Sequence, residues 1–235
     1  MYFEGTSPPV PALVDVILPC LNEAGAIPWI MERMPEGYRA IVVDNGSTDG
    51  SAEIAEELGA TIVFESRKGF GSACHAGLLA ASAPIAMFSD CDASLDPGDF
   101  HLVVDPVAAG EEDFVMARRM PTERAAWSWE SGVANKVLTQ QIKKYTGYEV
   151  HDLGVLRAAS REGLLGLGMQ DRRSGYPLEM ILRAKSAGWS LREVEAPYYP
   201  RIGKSKVTGT IPGLASAVWD MSALLRAEAK KLNLS

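Results

Sequence analysis

Short apolar runs alternate with stretches of helical composition along the first half of this chain, and polar, acidic segments follow several of those runs. Val14 to Leu18, Ala40 to Val43 and Thr61 to Phe64 are β-rich, and Ser51 to Leu58 has the composition of a helix. Such alternation predicts a parallel sheet, because parallel neighbours need a crossover between them. A helix predicted over Gly71 to Ala83 leads into a fourth strand, Ile85 to Phe88. All four runs are almost continuously apolar, which predicts helices on both faces of the sheet. Ligands of open α/β sheets bind beyond the carboxyl ends of the strands, so the residues that follow each run are the ones to inspect.

The second half is less regular. It predicts a strand at Phe114 to Ala117, helices at Glu130 to Tyr145 and Pro177 to Ala187, a strand at Leu191 to Glu195 and a last helix at Leu214 to Leu232. A length of 235 residues suits one α/β domain. The expected layout is a loose arm over residues 1–12, a domain over 13–210 and a C-terminal helix over 211–235, packed on the domain or beside it. A net charge of −7 argues against a nucleic-acid partner, since phosphate backbones are held by clustered Lys and Arg. Cys20, Cys74 and Cys91 show no metal or disulfide spacing and fit a reducing cytoplasm. The first residues lack the basic start and apolar run of a leader, and no apolar run reaches 18 residues. Membrane contact is therefore expected to be at most peripheral, at the inner face.

Asp90-Cys91-Asp92 sets two carboxylates two residues apart at a strand end, where an extended backbone points both to one side. Hard divalent cations such as Mg2+ take one or two such carboxylates together with substrate phosphates. The bland alternative is helix capping, but Asp96-Pro97 is already the better cap. Strand one runs into Pro19-Cys20-Leu21-Asn22-Glu23, and strand two into Asp44-Asn45-Gly46-Ser47-Thr48-Asp49-Gly50, which alone would be a turn capped by Asp49 or Ser51.

Taken in order with Arg67-Lys68-Gly69-x-Gly71 and the acid pair, these motifs resemble family 2 glycosyltransferases, whose nucleotide-binding fold is called GT-A. The resemblance covers roughly Val14 to Thr210. It is nearest to dolichol- or polyprenol-phosphate sugar synthases, through Ser174-Gly175-Tyr176-Pro177-Leu178-Glu179 and Tyr199-Pro200-Arg201-Ile202-Gly203-Lys204-Ser205-Lys206. It implies a single α/β domain with a Rossmann-like, mostly parallel central sheet. It implies a nucleotide-sugar donor, a GDP- or UDP-hexose, at Pro19, Asn22, Glu23, Asp44, Gly46, Ser47, Lys68, Gly69, Asp90 and Cys91, with Glu23 and Asp44 against the base and ribose. Mg2+ or Mn2+ is implied at Asp90 and Asp92. A lipid phosphate acceptor is implied near Arg201, Lys204, Ser205 and Lys206, and Asp152 and Glu179 match family acids near the reacting groups. Two departures stand out: Asn45 replaces the usual second acid of its motif, and the membrane helices that follow many relatives' catalytic domains are absent from this sequence.

The residues also allow plainer readings. Arg201, Lys204 and Lys206 could be a solvated loop, Asp152 a turn aspartate, and Glu179 an acid that favours a helix N-terminus. His75, His101 and His151 are scattered and carry no expectation of function. Cys91 is expected to pack as a small apolar residue. Leu214, Val218, Met221, Leu224 and Leu225 form a core-facing stripe at helical spacing, or a membrane-surface stripe. The reaction implied is attack of an acceptor oxygen on the anomeric carbon with inversion and departure of nucleoside diphosphate. A phosphate acceptor is already ionised and needs no base, whereas a hydroxyl acceptor would need Asp152 or Glu179. Rival readings are a transferase acting on a soluble hydroxyl acceptor, a nucleotidyltransferase and an idle nucleotide-sugar-binding module; a homo-oligomer is compatible with all of them.

Overall fold

The protein is described from a computed structural model that covers residues 12–123, 129–203 and 211–232. The chain order is β1 (Val14–Cys20), α1 (Ile27–Glu32), β2 (Tyr38–Asp44), α2 (Ser51–Glu57), β3 (Thr61–Phe64), α3 (Phe70–Ala80) and β4 (Ile85–Phe88). It continues with a 3-10 turn (Pro97–Asp99), α4 (His101–Ala108), β5 (Phe114–Pro121), α5 (Trp129–Thr146), β6 (Arg157–Ser160), α6 (Arg161–Gly166), α7 (Tyr176–Ser186), β7 (Leu191–Tyr198) and α8 (Ile211–Lys231).

The strands form one seven-stranded sheet in the order β3-β2-β1-β4-β6-β5-β7. β1 pairs in parallel with β2 and β4, β2 with β3, and β5 with β7, while β6 runs antiparallel between β4 and β5. Side-chain alternation divides the core into two layers. Ile17, Ile41 and Val43 face α3 and α7, whereas Val16, Leu18 and Val42 face Ile27 and Ile30 of α1 and Val103 of α4. This is the α/β architecture with a mostly parallel sheet and helices on both faces that the strand–helix alternation predicts.

Helix α3 packs so close to the sheet that a Cβ on Gly77 would lie 2.4 Å from Ile17 Cγ2 and 2.9 Å from Val43 Cγ2. That approach keeps α3, and the loop that precedes it, tight over the ends of β1 and β2. An acid inside β1, Asp15, is fully buried and belongs to the scaffold. Arg39 donates to both its oxygens at 2.8 and 2.9 Å, and the Ser82 and Ala83 N–H groups donate to it at 2.6 and 2.7 Å.

One expectation needs correction. Thr61 to Phe64 is not covered on both faces: β3 is the edge strand beside β2, and Phe64 is 76% exposed. Its apolar composition had no neighbour beyond it to pack against. Strand β6 (Arg157-Ala158-Ala159-Ser160) lacks the bulky apolar run that marks β4, helices α1, α4 and α6 were not read from the sequence either, and β6 is what makes the sheet mixed. Asp96 caps the 3-10 turn as expected, accepting from Gly98 N at 2.9 Å. In α8, Leu225 and Ala229 are buried and Met221 and Leu224 pack against the α3/α7 layer. Among the described residues no helix is long and apolar enough to cross a membrane.

Candidate active site

The strand order reverses at β1, with β2 on one side and β4 on the other, and this is where an open sheet leaves a crevice. A cavity of about 310 Å3 opens there, at the carboxyl ends of β1, β2 and β4. Its floor and walls include Pro19, Cys20, Leu21 and Glu23 from the end of β1, Asn45 after β2, Lys68, Gly69, Phe70 and Ala73 at the start of α3, and Asp90, Cys91 and Asp92 after β4. Arg201 closes the cavity from the segment after β7.

The loops after β1 and β2 are stitched to each other. Asn22, in a left-handed backbone with φ 57°, donates from its N–H to Ser47 Oγ at 2.9 Å and accepts from Thr48 N at 2.8 Å. Glu23 N donates to Ser51 Oγ, itself bound to Asp49, and Ala24 N donates to Asp49 Oδ2. Asp44 lies beneath this seam rather than in the cavity: its carboxylate accepts from Gly46 N at 3.1 Å and Ser47 N at 3.0 Å. It shapes the turn, and the cavity wall at this strand end is formed by Asn45. Gly46 sits at φ +94°, and a Cβ there would meet the Lys68 ammonium at 2.0 Å. The glycine thus leaves room for Lys68, whose Nζ donates to Asn45 O at 2.7 Å.

A second brace reaches the same wall from α7. Glu179 is buried and lies outside the cavity, where its carboxylate accepts from Gln170 N, Asp171 N and Arg183 Nε at 2.6 to 3.0 Å. The loop it grips presents the carbonyls of Arg172 and Arg173 to Ser72 N and Gly71 N. Two N–H groups in the first turn of α3 are thereby occupied. Gly69 lies so near this loop that a Cβ would stand 2.3 Å from Arg172 O.

The acids at the end of β4 have unequal surroundings. Asp92 Oδ1 accepts from Ser94 N at 3.0 Å and Ser94 Oγ at 2.5 Å, and its Oδ2 is 3.3 Å from Arg201 Nη1. Arg201 also donates to Glu23 Oε1 at 2.9 Å, held in place by the backbone bond of Ile202 N to Asp92 O. The Asp90 carboxyl has no hydrogen bond or ion pair among the described residues. Its pKa is pushed up to about 7, first by burial and then by the Asp92 charge, with Arg119 and Arg201 pulling it partly back. Cys91 is buried and its thiol hydrogen-bonds that of Cys20, the chief reason the Cys20 thiol lies below its usual range.

Asp152 is 1% exposed and bound by Arg119, which donates from Nε and Nη2 at 2.7 Å each and from its backbone N–H at 2.9 Å. Arg119, at the carboxyl end of β5 and stacked over Tyr198, was missed in the sequence. The signal was present: Arg118-Arg119 ends a strand of apolar residues on the ligand-bearing rim. Asn45 was noted only as a departure. His75, His101 and His151 do not line the cavity; His151 pairs with Glu193 at 2.7 Å. Lys204, Ser205 and Lys206 lie outside the described residues.

Among the described residues no three His, Cys, Asp or Glu side chains converge as a metal cage. Asp90, a recessed carboxylate that has no partner among the described residues and stands beside a second acid, nevertheless suits a hard cation that takes its remaining oxygens from a diphosphate and water.

The family model described as glycosyl transferase family 2 matches residues 15–165. An uncharacterized glycosyltransferase of Mycobacterium tuberculosis is 46% identical over 208 residues, which are 88% of this chain and 95% of that protein. The polyprenol monophosphomannose synthase of Mycolicibacterium smegmatis is 29% identical, covering 83% of this chain and 81% of its own length. Among solved structures, glucosyl-3-phosphoglycerate synthase from Mycobacterium tuberculosis, in complex with Mg2+ and uridine diphosphate, superposes with a TM-score of 0.73 at 22% identity. The match covers 93% of this chain and 80% of that one. At that identity the likeness is one of fold.

Proposed function

The chain belongs to glycosyl transferase family 2 and is a glycosyltransferase, and from that premise we propose that it moves a hexose from a nucleoside diphosphate donor to a polyprenyl-type phosphate, with inversion. The donor occupies the cavity between the ends of β1, β2 and β4. Glu23 and the seam it shares with the β2 turn face the nucleoside, and Lys68 and Arg201 face the diphosphate. Asp90 and Asp92 would hold Mg2+ or Mn2+, which would supply Lewis-acid stabilisation of the leaving diphosphate when bound. Arg201, set between Glu23 and Asp92, supplies a fixed guanidinium on the same side, and such preorganised charge is the commonest large contribution to catalysis.

The choice of a phosphate acceptor rests on one observation. Both acids that could serve as base are already committed, Asp152 to three N–H groups of Arg119 and Glu179 to two backbone N–H groups and Arg183. A hydroxyl acceptor needs a free base within hydrogen-bond reach, whereas a phosphate monoester, with its second pKa at ~6, arrives ionised. The similarity to polyprenol monophosphomannose synthase, and to a dolichyl-phosphate hexose transferase of Haloferax volcanii, supports the same reading. The reaction would take place at a membrane face, with the protein peripheral to it.

The test is incubation of the pure protein with labelled GDP- and UDP-hexoses, with and without polyprenyl phosphate. Transfer of label to lipid that requires both a divalent cation and the lipid phosphate is expected. Transfer to a soluble hydroxyl compound, with none to lipid phosphate, would overturn the acceptor assignment.

A further inference from the structure

We infer that Asn45 is the positioning residue that fixes the Lys68 side of the donor cavity, and that it is an amide rather than an acid because it must donate twice. The inference rests on the donor reading above only for what the cavity binds. Its geometry stands on Asn45 itself, a buried side chain at the carboxyl end of β2 that lines the cavity.

The Asn45 carboxamide donates from Nδ2 to Glu65 O at 2.7 Å and to Arg67 O at 2.9 Å, and its Oδ1 accepts from Gly69 N at 2.9 Å. Two carbonyls on one side and one N–H on the other fix which end of the amide is nitrogen. Its backbone takes part as well: Asn45 N donates to Cys20 O at 3.0 Å, and Asn45 O accepts from Lys68 Nζ at 2.7 Å. One residue therefore ties the end of β1, the end of β2 and the whole 65–69 segment together. Lys68 and Gly69 lie on that segment and form one wall of the cavity.

A carboxylate here could keep only the bond to Gly69 N. It has no proton to give, so its second oxygen would face the Glu65 and Arg67 carbonyls across hydrogen-bond distance with nothing between them. An unmade bond to a buried polar group is costly, and like partial charges add to it. The 65–69 segment would lift away from β2 and carry Lys68 with it. That accounts for the departure of this chain from the usual acid at this position. It also means that both side-chain N–H groups are already committed and are not free to donate to the nucleotide.

Wild type, Asn45→Asp and Asn45→Ala are compared in two ways. The first needs no ligand: trypsin cleavage after Arg67 and Lys68 at pH 8, followed by mass spectrometry, should accelerate at least tenfold in Asn45→Asp while cleavage elsewhere is unchanged. The second is calorimetric titration with uridine and guanosine diphosphate in Mg2+. Affinity should fall at least tenfold in both variants at pH 8. In Asn45→Asp alone it should recover at least threefold at pH 5.5, relative to wild type, because a protonated carboxyl regains one donor. A purely structural loss would not return on acidification. Where Asn45→Asp does not fold, Asn45→Ala carries the trypsin and pH 8 comparisons. Unchanged cleavage at Arg67 and Lys68, or wild-type affinity in Asn45→Asp at pH 8, would overturn the inference. If wild type binds neither diphosphate, the donor reading fails, and the trypsin result still decides the role of Asn45.

Discussion

Replacing Asp90 by asparagine should make the metal-free protein more stable, because Asp90 is the acid of this cavity that none of the described residues satisfies. Its carboxyl rises from an ordinary 3.8 to about 7 on folding. At 1.36 kcal/mol per unit, that shift corresponds to a penalty of about 4 kcal/mol on the ionised form. The cavity is open to solvent, which screens the charge and reduces the figure to about 2 kcal/mol. The sign follows from proton binding. Between pH 4 and 7 the folded chain holds a proton that the unfolded chain has released, so stability falls as pH rises through that window and the penalty is complete above it. Asparagine is neutral throughout. The gain from Asp90→Asn should therefore be full at pH 8, smaller at pH 5.5 and gone near pH 4. In a chain of this size about 2 kcal/mol raises the melting temperature by about 4–8 °C. Calorimetric melting in EDTA at pH 8 and 5.5 measures this directly. An Asp90→Asn protein that melts at or below wild type at pH 8 would refute the argument that this carboxylate is held at a cost to stability. The same variant should lose cation-dependent binding of nucleoside diphosphate, which separates a stabilised fold from a working site.

Excess EDTA should abolish transfer and added Mn2+ restore it; full activity in EDTA would remove the role given to the acid pair. Arg119→Ala strands the buried Asp152 charge, and breaking such a pair costs about 3–5 kcal/mol, to be read from urea unfolding; a loss under 1 kcal/mol would mean that Asp152 finds another partner or becomes protonated. Glu179→Gln keeps the side chain's shape but weakens its grip on Gln170, Asp171 and Arg183. It should lower stability by about 1–3 kcal/mol and weaken diphosphate affinity through the loop that packs on Gly69. Unaltered affinity in a destabilised Glu179→Gln protein would show that the α7 brace does not reach the cavity.

What the sequence disclosed and what it concealed divide along a physical line. An apolar run exposes an element, so β1, β2, β4 and α3 were legible, whereas β6, Arg157-Ala158-Ala159-Ser160, has no bulky apolar residue and was not, although β4 is just as short. Edge position is equally invisible, since Thr61 to Phe64 is as apolar as a central strand and only the sheet order leaves Phe64 in water. The rim rule located the cavity, because it needs only the ends of strands, and it would also have found Arg119 at the end of β5. It could not rank the acids gathered there. Asp44, Asp152 and Glu179 look no different from Asp90 and Asp92 in a sequence, and each is buried here with its oxygens taken by N–H donors. An acid whose lone pairs are filled by the protein contributes to the fold and has little left to offer a ligand. Asp90 differs because no described residue satisfies it, while burial and Asp92 raise the cost of its charge. A fold that tolerates such a carboxylate at the mouth of a cavity gains from it only when something positive arrives, so the absence of partners among the described residues, more than the spacing of the two acids, marks Asp90 as the metal-facing residue proposed here.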